Sequence, residues 1–374
     1  MAGARATIVD VAQAAGVSLG TASNVLNKPE RVAPATRQRV ERAIEQLGFV
    51  PSGAARQLRS GGWSAVGAVL LDIRNPFYTD VARGIEDQLD PDRQALLVGS
   101  SDGDPRREAR YLRLFESQGV AGALVASVDQ TGSVCRELAE RGLKLVLLES
   151  EFPDLPISSV RVDNRAGARA AVRHLMGLGF DRVTMFNGPP QLRQCAERAA
   201  GAAEALAGLG PSAAPAPSPG AGPGDGRGAD AAAGLAALAG GRLRQIEVGQ
   251  IDSRGGAAAA AAWLAGDPGP SAIFCVNDLV AIGVQRALRR AGRYSPERYP
   301  IVGFDDIDAA QDRAVPLTSV RQPTYQMGRR AAAMLAQAGP GQAVEHITFV
   351  PELVVRASTE PPPGRGGGPG GGRI

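Results

Sequence analysis

Acidic, amide and aromatic residues stand after several short apolar runs of this chain. The runs AVGAVLL, LKLVLL, AIFCV and IVGF are of strand length, and each is followed by residues of this kind. In open parallel sheets, ligands bind at the carboxyl ends of the strands, where such side chains converge. If the runs are parallel strands, their ends bring together Asp72, Asn75, Phe77, Glu149, Asn277, Asp278 and Asp305.

Two kinds of chemistry fit these residues. Carboxylates such as Asp72, Asp278 and Asp305 could act as general acid and base, whereas acids and amides beside an aromatic ring suit a polyhydroxylated ligand. The sequence has no nucleophile elbow and no phosphate loop, and its three cysteines are too far apart for paired metal ligands. We therefore expect a binding site and no enzyme, with no cofactor and no metal.

Two of the residues also have a purely structural interpretation. Asp278 could cap a helix that begins at Leu279, and Phe77 could pack between two lobes. For Asp305 ligand contact is favoured, because a charge at a strand end that faces a cleft is rarely only structural.

The elements that must position these residues follow a regular alternation. From Ser64 onward, apolar runs alternate with helical stretches, such as those around residues 79–89 and 106–118. This alternation is typical of a parallel sheet covered by helices on both faces. A chain of 374 residues is too long for one ordinary core, so an α/β body with two such sheets is expected. Residues 211–228, with ten Pro or Gly among eighteen, and the tail 361–374 are predicted to be disordered.

Three short helices are predicted at the other end of the chain, between Thr7 and Phe49. Thr7 suits the N-cap of the first helix, Gly16 ends it, and Ser18 can cap the second. The second helix directs outward Leu19, Gly20, Ser23 and Asn24, and the third has its apolar stripe at Val40, Ile44 and Leu47. Residues 1–60 hold eight Lys or Arg against four Asp or Glu, so a polyanion would bind at this end.

The segment TIVDVAQAAGVSLGTASNVLNKPERVAPATRQRVERAIEQLGFVP closely resembles the headpiece of the LacI/GalR family of bacterial repressors. The resemblance continues in NPFYTDVARGIE, VDNRAGARAAVRHLMGLGF, CVNDLVAIGVQRAL, IVGFDDID and LTSVRQPTYQMG, in the family's order. It implies a helix-turn-helix headpiece at 1–50, a hinge helix at 51–61 and a two-lobed effector-binding and dimerisation core at 62–360, of the type I periplasmic-binding-protein kind. Lobe 1 is expected at about 62–162 and 324–350, and lobe 2 at about 163–323 and 351–358.

The resemblance also implies which residues contact DNA. The family's base-reading positions hold Leu19, Gly20 and Asn24. Asn24 can make a bidentate contact to adenine and Leu19 an apolar contact to a thymine methyl, whereas Gly20 offers no side chain. Phosphate contacts are implied for Thr7, Ser18, Thr21, Ser23, Asn27 and Thr36, of which Thr7 and Ser18 are equally explained as helix caps. Minor-groove insertion is implied for Ala55, Arg56 and Leu58, with linker packing as the alternative for Leu58.

Function and partners follow from the same resemblance. Arg198 stands where the family supplies an effector-binding arginine, while Glu149-Ser150 replaces the family's usual Asp-Arg. We expect a transcriptional repressor, a homodimer that binds a near-palindromic double-stranded DNA operator and a small-molecule effector such as a sugar. Phosphorylated sugars, nucleobases or no ligand at all remain alternatives for the effector, and a solute-binding protein with little DNA specificity remains an alternative function. No apolar run is long enough for a membrane span, and a cytoplasmic location is expected.

Overall fold

A computed structural model describes residues 6–27, 29–49, 65–92, 94–208, 234, 239–339 and 341–360. The hinge residues Ala55, Arg56 and Leu58, the insertion 211–228 and the tail 361–374 lie outside the described residues. The helices of the N-terminal headpiece are α1 Ile8–Ala15, α2 Leu19–Asn27 and α3 Pro34–Leu47, with a short 3₁₀ turn at Pro29–Arg31.

The headpiece folds around a small core of Val11, Ala22 and Val40, each fully buried. A capping box begins α1: the Asp10 amide donates to Thr7 Oγ1 over 3.4 Å, and the Thr7 amide donates to Asp10 Oδ2 over 2.7 Å. The α3 stripe differs from the prediction, since Leu47 is 39% exposed and Ala43 is buried instead. Leu47 is the last residue of α3, and the apolar contact with the small core is made instead by Ile44 and Phe49, which pack against it.

The body consists of strands alternating with helices. Its strands are β1 Ala65–Leu70, β2 Ala95–Ser100, β3 Ala123–Val125, β4 Leu145–Leu148, β5 Ser158–Val162, β6 Val183–Asn187, β7 Leu243–Glu247, β8 Ala272–Cys275, β9 Ile301–Asp305, β10 Thr318–Arg321, β11 His346–Phe349 and β12 Glu352–Val354. Its helices are α4 Pro76–Leu89, α5 Pro105–Gln118, α6 Ser133–Glu140, α7 Asn164–Gly177, α8 Arg193–Ala207, α9 Ser253–Ala265, α10 Asp278–Arg290, α11 Asp308–Gln311 and α12 Thr324–Gln337. Among the described residues, none of the helices has the length and apolarity needed to cross a bilayer.

The strands form two six-stranded sheets, one in each lobe. Lobe 1 has the order β11-β5-β4-β3-β1-β2 and is parallel throughout. Lobe 2 has the order β12-β10-β9-β8-β6-β7, in which only the edge strand β12 is antiparallel, to β10. The chain therefore crosses between the lobes after β5, after β10 and after β11.

Helices α4 and α12 pack against each other with their backbones almost touching. A Cβ atom added at Gly84 of α4 would lie 2.1 Å from the carbonyl oxygen of Tyr325, and one at Gly328 would lie 2.1 Å from that of Val81. Glycine at both positions allows this approach. The pair covers the lobe 1 sheet and fixes the start of α4, which borders the cleft between the lobes.

Candidate functional site

The outward face of α2 carries the three predicted base-reading residues. Leu19 is 49% exposed, and Gly20 and Asn24 are also exposed. Ser18 caps the helix, since its Oγ accepts from the Thr21 amide over 3.1 Å and lies 2.9 Å from Thr21 Oγ1. The buried face of α2 holds Ala22 and Val25. The helix is thus anchored by its apolar side and presents the opposite side to a partner.

The residues predicted to touch phosphate are more dispersed. Thr7 is exposed at the start of α1, and its hydroxyl donates to Asp10 Oδ2 over 2.7 Å, as a helix cap does. Ser23 and Thr36 are half-buried on α2 and α3, and Asn27 ends α2. The hydroxyls of Ser18 and Thr21 are hydrogen-bonded to each other; Ser18 is exposed and Thr21 is half-buried on the headpiece surface.

A cleft of about 450 Å³ separates the two lobes. It lies at the carboxyl ends of strands from both sheets, as expected for ligand sites in open α/β folds. Lobe 1 contributes the turn after β1 and the residue after β4, and lobe 2 contributes α8 and the ends of β8 and β9. Seven of the predicted effector residues lie on its wall: Asp72, Asn75, Phe77, Glu149, Arg198, Asn277 and Asp305.

Arg198 is the central cation of the cleft and is 4% exposed. Its Nε donates to Asn164 Oδ1 over 2.8 Å, and its Nη1 donates to the Val276 carbonyl oxygen. Its guanidinium carbon lies 3.6 Å from the centre of the Phe304 ring, a cation–π contact. These contacts fix the guanidinium, so a ligand meets a preorganised group.

Asp305 ends β9 in the left-handed backbone region, with φ 110°. Its Oδ1 accepts from Gln322 Nε2 over 2.7 Å, and its Oδ2 accepts from Asn75 Nδ2 over 3.3 Å. The second bond joins lobe 2 to lobe 1 across the cleft. Burial raises the pKa of Asp305 to about 6, although the Arg198 guanidinium, 3.7 Å away, opposes the shift.

Glu149 follows β4 and also has a left-handed backbone, with φ 56°. Its Oε1 accepts from the Val162 amide over 3.1 Å. Burial raises the pKa of Glu149 to about 7, against the opposing effects of Arg198 and Asn164. Glu149 also borders a second cavity of about 330 Å³, so it stands where the two cavities meet.

Asp278 does not lie on the cleft wall, and it is not the cap of its helix. The helix begins one residue earlier than expected, and its cap is Asn277, whose Oδ1 accepts from the Val280 amide over 2.9 Å. Asp278 is fully buried behind the cleft, where it accepts from the Ile307 amide over 2.9 Å and from Ser319 Oγ over 2.6 Å. Its carboxylate therefore joins the ends of β8, β9 and β10.

Two other predicted residues are already engaged in local contacts. Asp72 binds Arg74 through two side-chain bonds of 2.9 Å each. Phe77 is 5% exposed and packs edge-on against Tyr78, with ring centres 4.7 Å apart. Wall residues that the sequence did not predict include Arg74, Tyr78, Asp102, Gln191, Gln250, Asp252 and Gln322. Gln322 follows the short strand β10, so the strand-end rule would have found it had TSVR been recognised as a strand.

Comparison with known proteins agrees with this architecture. The family model described as "Bacterial regulatory proteins, lacI family" matches residues 7–52. The model of periplasmic binding proteins and the sugar binding domain of the LacI family matches residues 63–215, and a periplasmic-binding-protein-like domain matches residues 172–359. The chain belongs to the LacI family of bacterial transcriptional regulators. It is 32% identical over 365 residues to the HTH-type transcriptional regulator CelR of Thermobifida fusca, covering 95% of this chain and 98% of that protein.

Other LacI-family proteins match along nearly the whole chain. The HTH-type transcriptional regulator DegA of Bacillus subtilis is 29% identical, over 96% of this chain and 99% of that protein. The structure of the lac repressor dimer bound to operator and the anti-inducer ONPF superposes with a TM-score of 0.72 at 23% identity, over 95% of this chain and 99% of that one. At that identity the likeness concerns the fold. These relatives are regulators of transcription and not enzymes.

Proposed function

We propose that this LacI-family regulator is a homodimeric repressor that binds a near-palindromic operator. Its affinity for the operator falls or rises when a small molecule enters the interlobe cleft. The observation that carries the proposal is the pairing of an exposed, firmly anchored α2 with a cleft bridged by the Asn75–Asp305 bond. One headpiece covers one half-site, so a two-fold dimer reads an inverted repeat. Such a protein acts in the cytoplasm, where the DNA is.

The DNA contacts are divided between the headpiece and the hinge. Asn24 is proposed to read adenine, Leu19 to touch a thymine methyl, and Gly20 to let the helix approach the bases closely. The hydroxyls and amide of Thr7, Ser18, Thr21, Ser23, Asn27 and Thr36 are proposed to hold phosphates. Ala55, Arg56 and Leu58 are proposed to enter the minor groove between the half-sites, with Leu58 as the wedge.

The ligand is proposed to be a polyhydroxylated metabolite such as a sugar. Carboxylates, amides and one fixed guanidinium around the Phe77 and Tyr78 rings offer acceptors, donors and an apolar face to a hydroxylated ring. A CelR structure described as a CelR–cellobiose complex superposes on this chain with a TM-score of 0.63 at 28% identity, over 95% of this chain and 100% of that one. It supports a sugar as the class of ligand.

Coupling between cleft and operator requires that the ligand favour one lobe arrangement over the other. The Asn75–Asp305 bond belongs to the arrangement described here and has to break or be replaced if the lobes move apart. A ligand that takes over the Asp305 acceptor would therefore shift the lobe angle. The hinges of the dimer follow that shift, and operator affinity changes with it.

Selection of duplexes from a random library by the full-length protein tests the DNA-reading part. We expect an inverted repeat whose affinity falls steeply as salt rises. Asn24→Ala should remove the preference at one base pair in each half-site, whereas Gln46→Ala, which removes an exposed amide from α3, should leave the selected sequence unchanged. Leu58→Ala should weaken binding to the repeat. Enrichment of no sequence would refute operator recognition and favour a solute-binding protein.

A further inference from the structure

The charges on the cleft wall are unevenly balanced. Among the described residues, two guanidiniums line it, those of Arg74 and Arg198, against five carboxylates, those of Asp72, Asp102, Glu149, Asp252 and Asp305. Charge interactions in a concave cleft between two lobes are stronger than at an open surface, so the sign of the surplus decides which ligands enter. The surplus is negative.

Both guanidiniums of the wall are already committed. Arg74 binds both carboxylate oxygens of Asp72 over 2.9 Å. Arg198 donates hydrogen bonds to Asn164 and Val276 and makes a cation–π contact with Phe304. An anionic ligand would compete with Asp72 for Arg74 and with Asp305 for Arg198. The wall therefore has no uncommitted cation for a phosphate or carboxylate group.

Two of the carboxylates form no ion pair with any described residue. Glu149 accepts only from the Val162 amide and, at 3.5 Å, from Asn164 Nδ2. Asp252 caps α9, accepting from the amides of Arg254 and Gly255 over 2.9 and 2.8 Å. Hydrogen bonds satisfy part of each carboxylate, and neither is in direct contact with a cation of the described residues, although Arg198 lowers the pKa of Glu149 from a distance. Both can accept from a cation in the cleft.

A third acceptor on the wall has no donor at all. Gln322 is 4% exposed, and its Oε1 is buried without a hydrogen-bond partner. The orientation of the amide is fixed, because Nε2 donates to the Asp305 carboxylate over 2.7 Å and a flipped amide would set two acceptors against each other. An unsatisfied buried acceptor is costly, so a ligand that donates to Gln322 Oε1 gains from filling it.

We propose that the cleft is selective for a polyhydroxylated ligand that carries a protonated amine, such as an amino sugar, and that it rejects phosphorylated and carboxylated ligands. The ammonium supplies the positive charge that Glu149 and Asp252 lack and several N–H donors for an acceptor-rich wall. The hydroxyl groups of the ligand form hydrogen bonds with the remaining side-chain amides of the wall and with Arg198. This inference deepens the proposed function, since it names the ligand class of the same cleft.

Calorimetric titration of the full-length protein with matched probes tests the proposal. One set consists of glucosamine, galactosamine and mannosamine, each with its neutral hexose and its hexose 6-phosphate. A second pair is Tris and pentaerythritol: both have a central carbon with three hydroxymethyl groups, and the fourth substituent is an ammonium in protonated Tris and a hydroxymethyl group in pentaerythritol. We expect at least one aminated probe to bind at least about tenfold more tightly than its neutral partner, equivalent to about 1.4 kcal/mol, and no 6-phosphate to bind.

Variants separate a charge effect from a folding effect. Glu149→Gln should reduce the preference for the aminated probe by about tenfold. Asp252→Asn should also reduce it while preserving the fold, because asparagine caps helices as well as aspartate does. Glu140→Gln removes an exposed carboxylate of α6 and should leave the preference unchanged.

Three results would overturn the proposal: no aminated probe that binds at least about tenfold more tightly than its neutral partner, any hexose 6-phosphate that binds, or a preference that survives both cleft variants. Duplex selection without ligand is independent of these measurements. If the protein binds the aminated probe but selects no operator sequence, only the proposed function is refuted. If it selects an operator but does not bind any aminated probe, only the proposed ligand class is refuted.

Discussion

Replacing Arg198 by methionine should destabilise the protein strongly, because the buried guanidinium joins several groups of lobe 2. The change keeps a long unbranched side chain but removes the donors to Asn164 Oδ1 and the Val276 carbonyl. Hydrogen bonds to a charged group contribute about 1.5–3 kcal/mol each, so two give about 3–6 kcal/mol. Breaking a buried ion pair from one side costs about 3–5 kcal/mol, and Asp305 would be left without its cation. We expect a loss of about 3–5 kcal/mol.

Urea unfolding followed by circular dichroism, at one fixed protein concentration, measures this loss. Arg173→Met removes an exposed arginine from α7 and should change the free energy of unfolding by less than about 0.5 kcal/mol. The double variant Arg198→Met with Asp305→Asn should be more stable than Arg198→Met alone, because no uncompensated carboxylate remains. A loss below about 1 kcal/mol for Arg198→Met, or a double variant that is less stable still, would refute the role given to this pair.

Three further predictions concern the headpiece, the cleft and the helix packing. Asn24→Ala should cost about 1–3 kcal/mol of affinity for the selected operator, measured by fluorescence anisotropy, and leave binding to random DNA unchanged; equal losses on both would contradict base reading. Because the pKa of Glu149 is raised from 4.5 to about 7, its contribution to the free energy of unfolding is complete below about pH 4.5 and is lost as pH rises through 7. In urea unfolding across this pH range, Glu149→Gln should make the free energy of unfolding depend less steeply on pH. An unchanged pH dependence would contradict the prediction. Gly84→Ala should lower the free energy of unfolding by about 1–3 kcal/mol, because the added Cβ would lie 2.1 Å from the Tyr325 carbonyl oxygen. Gly177→Ala should not, because there is open space around Gly177. Thermal unfolding compares the two variants, and equal melting temperatures would contradict the close packing of α4 on α12.

The alternation of apolar runs and helical stretches was enough to predict an α/β body with two sheets. It identified helices that the structure places at Pro76–Leu89 and Pro105–Gln118, because their amphipathic pattern is long. Short strands gave weaker signals. Strand β7, Leu243–Glu247, has only two apolar residues among its five, and the edge strand β12 runs antiparallel, a direction that composition does not reveal.

The strand-end rule predicted where the cleft lies, but not which side chains face it. Asn277 and Asp278 are neighbours after β8, yet one lines the cleft and the other is buried behind it. The difference is set by the first turn of α10, where Asn277 takes the cap and directs Asp278 toward the amide of Ile307. Gln322 comes from a segment without a clear strand signal, and Tyr78 directly follows the predicted Phe77 in the first turn of α4, so only the assembled lobes show that both line the wall.

In the proposed function, the state of the cleft sets the affinity of the protein for DNA. The direct measurement is the Kd of the wild-type protein for its selected operator, at one salt concentration, with and without a saturating cleft ligand. Because coupling between two sites is reciprocal, the operator should change the Kd for the ligand by the same factor. We expect the two factors to differ from one and to agree with each other. Equal operator affinities with the cleft empty and filled would contradict the account.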